Sequence, residues 1–329
     1  MISLIATVLN EGDNIHQLFD SIQRQTRRPD EIVIVDGGSS DDTLAIMQAY
    51  ADVLPLRIFV EPGCNISQGR NRAIAEARGE LIAVTDAGVR LSVSWLEKIS
   101  APLLEEPTLN VVGGFFLADP QSAFETALGA TTLPLAREID GATFLPSSRS
   151  IAFRKSAASA SGLYPEWLDF CEDLVFDLRL REAGGPFAFA PDAVVYFRPR
   201  RGLRQFFRQY YLYARGDGKA NLWFKRHLIR YLTYFAVTPA IFIAGALIHP
   251  ALWLLYLLGA ADYLYQPYRR LPTVMRRAPD RSPRAWLFCI VMIPFIRLTG
   301  DVAKMIGYPV GWRWRLSMRP PDWRLQSQP

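Results

Sequence analysis

Carboxylates stand where three short apolar runs of this sequence end. Asn10-Glu11 follows the run that begins at Ile2, Asp36 opens Asp36-Gly-Gly-Ser-Ser-Asp41, and Asp86-Ala-Gly88 follows Leu81. Gathered on one rim, such acids repel one another unless something there uses them; a nucleobase, a ribose or a metal ion would do so. A fourth acidic pair, Glu172-Asp173, precedes the helical pattern Leu174, Leu178. At a helix start the macrodipole favours the charged carboxylate, which can then accept a proton at neutral pH. Each acid also has a plainer role available, because Asp-Gly-Gly-Ser-Ser is good turn chemistry and aspartate is a common helix cap.

Other chemistries find little support. Cys64, Cys171 and Cys289 are few and far apart, without metal-ligand spacing, so reduced thiols are expected and no disulfide framework. His16, His227 and His249 are equally scattered. They do not assemble a zinc site.

The acids need elements to hold them, and the apolar pattern supplies these. Ile2 to Leu9 reads as a buried strand rather than a leader segment, followed by a helix with Ile15, Leu18, Phe19 and Ile22 at helical spacing. The same alternation recurs with Glu31 to Asp36 before Leu44, Met47 and Tyr50, and with Leu56 to Glu61 before a helix from about Gln68. Leu81 to Asp86 then precedes a helix near Trp95 to Leu104, and Asn110 to Phe116 reads as a fifth strand. Successive units of this kind predict an α/β fold with a parallel sheet and helices on both faces. Ligands of such sheets bind beyond the carboxyl ends of the strands, which is where the acids lie.

In this order the motifs resemble the family 2 glycosyltransferases, which have a GT-A, Rossmann-like nucleotide-sugar fold. The resemblance rests on Thr7-Val-Leu-Asn-Glu11, Leu18-Phe-Asp-Ser-Ile-Gln-Arg-Gln25 and the stretch from Glu31 to Thr43. It continues through Gly69-Arg-Asn71, Ile82-Ala-Val-Thr-Asp86, Trp95-Leu96, Cys171-Glu-Asp173, Arg179-Leu180 and Gly184, covering roughly residues 1–220. It implies that Thr7, Glu11 and Asp36 line the nucleoside pocket, with Asp36 accepting a hydrogen bond from the base, and that Arg70 lies near the nucleotide. Asp173 would be the catalytic base of a single displacement with inversion.

Asp86 matches the first acid of the family's Asp-x-Asp motif, but Gly88 replaces the second. A divalent cation, Mg²⁺ or Mn²⁺, is still expected on the donor diphosphate, because Mg²⁺ commonly takes one or two protein carboxylates and fills its shell with phosphate and water. Arg90 is a further candidate for the diphosphate, since guanidinium matches phosphate well. Gln205-Phe-Phe-Arg208-Gln209 is similar to the Gln-x-x-Arg-Trp motif of processive members, with Gln209 in place of Trp. Gln205 and Arg208 share a helix face and are diphosphate candidates as well, while a basic helix resting on a membrane is the competing reading.

The chain has 329 residues, of which 50% are hydrophobic, with a formal charge of +5 and a pI near 9.1. The apolarity is uneven: up to about Ala193 the sequence reads as an ordinary globular domain, whereas from Tyr231 apolar runs alternate with arginines. Residues 1–200 are therefore assigned to the GT-A domain, 201–230 to an amphipathic interfacial region, and 231–329 to membrane-associated helices with a basic tail. The arginines Arg269, Arg270, Arg276, Arg277, Arg281 and Arg284 lie beside apolar runs and point to anionic lipid rather than nucleic acid. Positive charge on both flanks favours a hairpin, Tyr231 to Ile248 and Ala251 to Leu264, over one crossing. The short apolar segment 285–298 then reads as re-entrant or interfacial, with a third crossing as the alternative.

These readings converge on an inverting glycosyltransferase with a cytosolic catalytic domain and a multi-pass or hairpin membrane anchor. Its partners would be a nucleotide-sugar donor, membrane lipid and a lipid-linked or polysaccharide acceptor. Transfer to a polyprenyl phosphate is an alternative, and so is a non-catalytic nucleotide-sugar-binding scaffold, which Gly88 favours and the intact Glu172-Asp173 pair opposes.

Overall fold

The computed structural model describes residues 1–185 and 187–324. In chain order the first part comprises β1 (Ile2–Val8), α1 (Asn14–Gln23), β2 (Glu31–Asp36), α2 (Thr43–Ala51), β3 (Leu56–Val60), α3 (Ile66–Glu76), β4 (Leu81–Val84), β5 (Val89–Leu91), α4 (Trp95–Glu105) and β6 (Val111–Ala118). There follow α5 (Ala123–Thr132), β7 (Ile151–Arg154), α6 (Lys155–Ala160), α7 (Glu172–Glu182) and β8 (Phe187–Phe197). The chain divides into two compact units. The first holds Met1–Leu117 and Ala136–Phe197 with residues 321–324, and the second holds Ala118–Leu135 and Arg198–Pro320.

The strands of the first unit form one sheet in the order β3-β2-β1-β4-β7-β6-β8-β5. β1 is parallel to β2 and β4, and β2 to β3, as the alternation predicts. The rest departs from a parallel sheet: β7 lies antiparallel between β4 and β6, and β5 is antiparallel to β8. An apolar run encodes burial but not direction, so strand β6 could be read as a strand while its neighbour could not. The central strands are buried on both faces, and alternate side chains segregate accordingly. Leu4, Ala6, Ile32, Ile34 and Ala83 enter one apolar cluster. Ile5, Val33, Val35, Ile82 and Val84 enter the other.

Away from the acidic rim, Glu31 ties the opposite end of the sheet together. It is 4% exposed and accepts from Ser3 Oγ at 2.6 Å, Arg57 Nη1 at 3.1 Å and the Gly79 N–H at 3.3 Å. Burial alone raises its pKa, but the bonds from Ser3, the Arg78 N–H, Arg57 and Gly79 outweigh it and hold Glu31 below its ordinary value of 4.5.

The second unit is helical: α8 (Leu203–Lys219), α9 (Phe224–Leu232), a π-helical stretch Thr233–Val237, α10 (Thr238–Leu247), a 3-10 turn Pro250–Trp253, α11 (Leu254–Met275) and α12 (Pro283–Met318). The chain reverses at His249-Pro250, where His249 Nδ1 accepts from the Ala251 N–H at 3.1 Å. Here α11 continues to Met275, beyond the expected end of the second arm near Leu264, and the apolar segment 285–298 is part of the longer α12, which passes through Pro294 without ending. Two helical stretches, Phe224–Leu247 and Pro283–Met318, are long and apolar enough to cross a membrane. Their outward side chains include Phe235 (71% exposed), Leu247 (81%) and Leu287 (64%), an apolar surface of the kind a lipid phase covers. Elsewhere, Ala127 and Leu128 of α5, Phe206 of α8, Val274 of α11 and Ile293 of α12 form a buried cluster. Glycine brings α8 and α12 into backbone contact, since a Cβ on Gly311 would lie 1.9 Å from the Arg215 carbonyl oxygen, and one on Gly307 2.2 Å from that of Tyr211.

Two expectations follow. Glu31→Gln costs about 1–3 kcal/mol at neutral pH, because buried donors lose a charged partner. Glu31's depressed pKa contributes stability above its unfolded value and loses it as pH falls through the folded value. The melting gap between wild type and Glu31→Gln therefore narrows below pH 4.5, and a gap independent of pH contradicts the assignment. Gly311→Ala forces α8 and α12 apart and costs about 1–3 kcal/mol. Melting of the full chain in detergent reads this directly, and an unchanged midpoint contradicts the close contact.

Candidate active site

The acidic rim is assembled from strand ends, two helices and one loop of the first unit. Arg70 on α3 is the link between them. It is 3% exposed, its Nη2 pairs with Asp86 Oδ1 at 2.9 Å, and its Nη1 pairs with Glu172 Oε1 at 2.7 Å. Its register on α3 is set by a capping box, in which Asn65 and Gln68 exchange side-chain and backbone bonds. Beneath it lies Tyr164, whose ring centroid is 5.2 Å from the Arg70 guanidinium carbon. Tyr164 is itself fixed by Ser148 Oγ at 2.8 Å and by stacking on Phe176.

Asp86 follows β4 and faces a second cation, Arg149, whose Nε is 3.4 Å from Oδ2. Burial pushes the Asp86 pKa up, but Arg70 and Arg149 outweigh it and hold the carboxyl below its usual range. Arg149 also lies over the rings of Phe197 and Phe116. Across the rim Glu11 fills the side of Gly88, because a Cβ on that glycine would lie 3.5 Å from Glu11 Oε2. Glu11 thus brings a carboxylate to the place of the missing second acid of the motif, while both oxygens of Asp86 face guanidinium groups. Among the described residues no group of three or more His, Cys, Asp or Glu forms a ready-made cage.

Asp36, at the end of β2, is 1% exposed. Its Oδ1 accepts from the Ser39 N–H at 3.0 Å and from Ser39 Oγ at 2.7 Å, so the turn reading of Asp-Gly-Gly-Ser is correct as far as it goes. Its Oδ2 is buried without a hydrogen-bond partner among the described residues. An acceptor left in that condition is costly unless a ligand donor reaches it. Thr7 on β1 turns its methyl group toward Gly69, where a Cβ would be 2.7 Å away, and Cys64 lies on the same side. A cleft of about 390 Å³ opens beside Cys64, lined by residues 61–64, Gln68, Arg72 and Glu166.

Glu172 and Asp173 begin α7. The preceding Cys171 has φ 65°, a left-handed conformation that a non-glycine residue adopts at a cost of about 1–2 kcal/mol, and such positions concentrate at functional sites. Burial, then the Asp173 charge, push the Glu172 pKa up to about 7 against the pull of Arg70. Asp173 is half-buried at the helix start; its Oδ2 is 3.5 Å from Ser147 Oγ and its Oδ1 accepts from the Leu174 N–H at 2.8 Å. One turn on, Asp177 is fully buried and neither oxygen has a hydrogen-bond partner among the described residues. Burial and the nearby Asp173 raise its pKa well above the ordinary value.

Of the residues singled out from sequence, Arg70, Asp86 and the Glu172-Asp173 pair meet in one network, Glu11 borders it at Gly88, and Thr7 borders it at Gly69. Arg90 on β5 lies over the Tyr196 ring at 4.2 Å. Gln205 and Arg208 are exposed on α8 of the second unit, where Gln205 Oε1 accepts from the Arg201 N–H at 3.1 Å. Ser147, Arg149, Tyr164 and Asp177 escaped the sequence reading. Only the sequence pattern of α7 hinted at one of them, since Asp177 is four residues past Asp173 and shares its face.

Comparison with known proteins places this geometry. Residues 3–158 match glycosyl transferase family 2. The chain is 27% identical over 223 residues to the O-antigen chain rhamnosyltransferase WbaN of Salmonella anatum, covering 64% of this chain and 70% of that protein. It is 25% identical over 268 residues to the succinoglycan biosynthesis protein ExoA of Rhizobium meliloti, covering 76% of this chain and 79% of that protein. Among solved structures it is similar to the mannosyltransferase PcManGT of Pyrobaculum calidifontis, in complex with GDP-Man and Mn²⁺. That likeness has a TM-score of 0.62 at 20% identity, covers 92% of this chain and 86% of that one, and shows the GT-A fold. The apolar helices and these relatives together point to membrane association. With its motifs in family order along a GT-A sheet, the chain is a glycosyltransferase that carries a glycosyl transferase family 2 domain over residues 3–158.

Proposed function

We propose that this protein is an inverting glycosyltransferase that moves a sugar from a nucleoside-diphosphate donor to a hydroxyl of a membrane-proximal acceptor, a lipid-linked saccharide or a growing polysaccharide. The observation that carries this reading is the buried Arg70 bridge, which joins Asp86 to the helix start bearing Asp173. The relatives named for O-antigen and succinoglycan synthesis support an envelope polysaccharide as the acceptor class. The basic flanks of the apolar helices support a cytosolic catalytic domain.

In this mechanism Asp36 Oδ2 takes a hydrogen bond from the nucleobase, and Thr7 and Glu11 border the nucleoside. Asp173 accepts the proton of the acceptor hydroxyl as that oxygen attacks the anomeric carbon, and the bond to the donor phosphate breaks on the opposite side. Negative charge then accumulates on the departing diphosphate, where cationic groups lower the barrier. Arg149 and Arg70 supply that charge at Asp86, and Arg90 is a further candidate to contact the diphosphate. Asp86, with Glu11 beside it, would hold a divalent cation that adds positive charge to the same oxygens. Burial and the charge of Asp173 together push Asp177, one turn behind the base, toward its neutral form.

Asp173→Asn therefore lowers turnover by about 100- to 10,000-fold while nucleotide affinity stays within a few-fold. Isothermal titration and a donor-consumption assay separate the two, and near-normal turnover removes the assignment. Chelation of divalent cations abolishes transfer and added Mg²⁺ or Mn²⁺ restores it. Full turnover after exhaustive chelation overturns the role given to Asp86.

A further inference from the structure

Within the helical unit α12 carries Arg297, Gly300, Asp301 and Lys304 at positions i, i+3, i+4 and i+7, so all four share one face. Asp301 is fully engaged. Its Oδ1 accepts from Arg230 Nε at 2.8 Å, and its Oδ2 from the hydroxyls of Tyr263 at 2.6 Å and Tyr234 at 3.1 Å. Beside it, His227 Nε2 lies 3.2 Å from Asp217 and the imidazole stacks on Tyr308.

Two cations of the same face are left over. Among the described residues Arg297 and Lys304 form no ion pair or hydrogen bond, and the Arg297 Nε is buried without a partner. The Arg297 guanidinium lies over the Tyr263 ring at 4.4 Å, and Lys304 Nζ lies 4.9 Å from the Tyr210 ring centroid. Tyr210 also covers Gly300, where a Cβ would be 3.5 Å from its Cδ1, so its ring lies on the turn of α12 that separates the two cations in sequence. The charges of Arg230 and Arg297 act on Lys304 from one side of the balance, and those of Asp301 and Asp217 from the other. Arg230, Arg297 and Lys304 thus stand against Asp217 and Asp301, an excess of positive charge on a helix whose outer side chains include exposed Phe295, Leu298 and Ile306. Unbalanced cations in such surroundings are costly, and in membrane-associated helices they mark sites for a polar partner.

We propose that Arg297 and Lys304, flanking Tyr210, form a binding site for the phosphate of an anionic lipid headgroup. A phosphate or diphosphate suits the pair because its several oxygens accept from a guanidinium and an ammonium together. The two cations start roughly 10 Å apart along the helix, a separation that long side chains close around one such group. The apolar outer face of α12 gives the acyl or prenyl chain of the same molecule a surface to lie on. This site lies wholly within the helical unit and is independent of the role assigned to Asp173.

The test uses the full chain in neutral detergent, titrated with phosphatidic acid, with phosphatidylcholine and with soluble inorganic pyrophosphate, while thermal unfolding is followed. Phosphatidic acid raises the melting temperature of the wild type; phosphatidylcholine does not, and millimolar pyrophosphate does so only weakly. In Arg297→Gln/Lys304→Gln the phosphatidic acid midpoint moves up at least tenfold, while melting without lipid is not lowered and donor hydrolysis is unchanged. The charge-conserving Lys304→Arg keeps the wild-type response, and it provides the comparison if the double variant fails to fold, paired then with Lys304→Gln alone. An unchanged phosphatidic acid midpoint in the glutamine variants, or an equal shift with phosphatidylcholine, overturns the site. A full shift with pyrophosphate alone overturns its assignment to a lipid.

Discussion

The geometry of the rim depends on one buried guanidinium. Arg70 comes from α3, Asp86 from the end of β4 and Glu172 from the start of α7, and its two ion pairs join the three. A cation at 3% exposure is tolerable only while both acids stay near it, and removing one partner of a buried pair typically costs about 3–5 kcal/mol. The bridge thus fixes where α7 begins relative to the sheet. Asp173, one residue along, inherits its position from that constraint rather than from its own contacts with Ser147 and Leu174.

The same bridge organises the electrostatics. Arg70 stabilises the charged forms of Asp86 and Glu172, while Asp173 works against Glu172 and Asp177. The acids crowded on one helix start therefore differ in surroundings: Glu172 is paired with Arg70, Asp173 is half-buried, and Asp177 is buried without a hydrogen-bond partner among the described residues. Strain is stored beside them, since the left-handed Cys171 turns the chain into α7 and the left-handed Asn10 turns it out of β1. Asparagine tolerates that backbone readily; cysteine does not. The rigid sheet beneath, buried on both faces, is what such local strain is braced against.

Much of this was legible in the residues. The four parallel strands announced themselves because each is a continuous apolar run ended by a turn or an acid, and the acids at those ends form much of the rim. Strand β7 was invisible for a physical reason: Ile151–Arg154 is four residues long and its direction is set by pairing with β4 and β6, not by its own pattern. Arg149 went unseen with it, because its meaning comes from Asp86, sixty-three residues earlier, and from the rings of Phe116 and Phe197. Asp177 drew no reading from the sequence, because its burial is set by what packs around α7. In the tail, hydropathy located the reversal at His249-Pro250, but proline rules alone would have broken α12 at Pro294, where neighbouring helices hold it straight through.

The glycine contacts between α8 and α12 carry a mechanical consequence. Where Gly307 and Gly311 let one backbone lie on another, no side chains remain between the helices to deform, so the pair has no soft layer in which to absorb a displacement. That stretch is therefore the stiffest part of the pair, whereas near Gly300 the rings of Phe206 and Tyr210 stand between the two helices and can give.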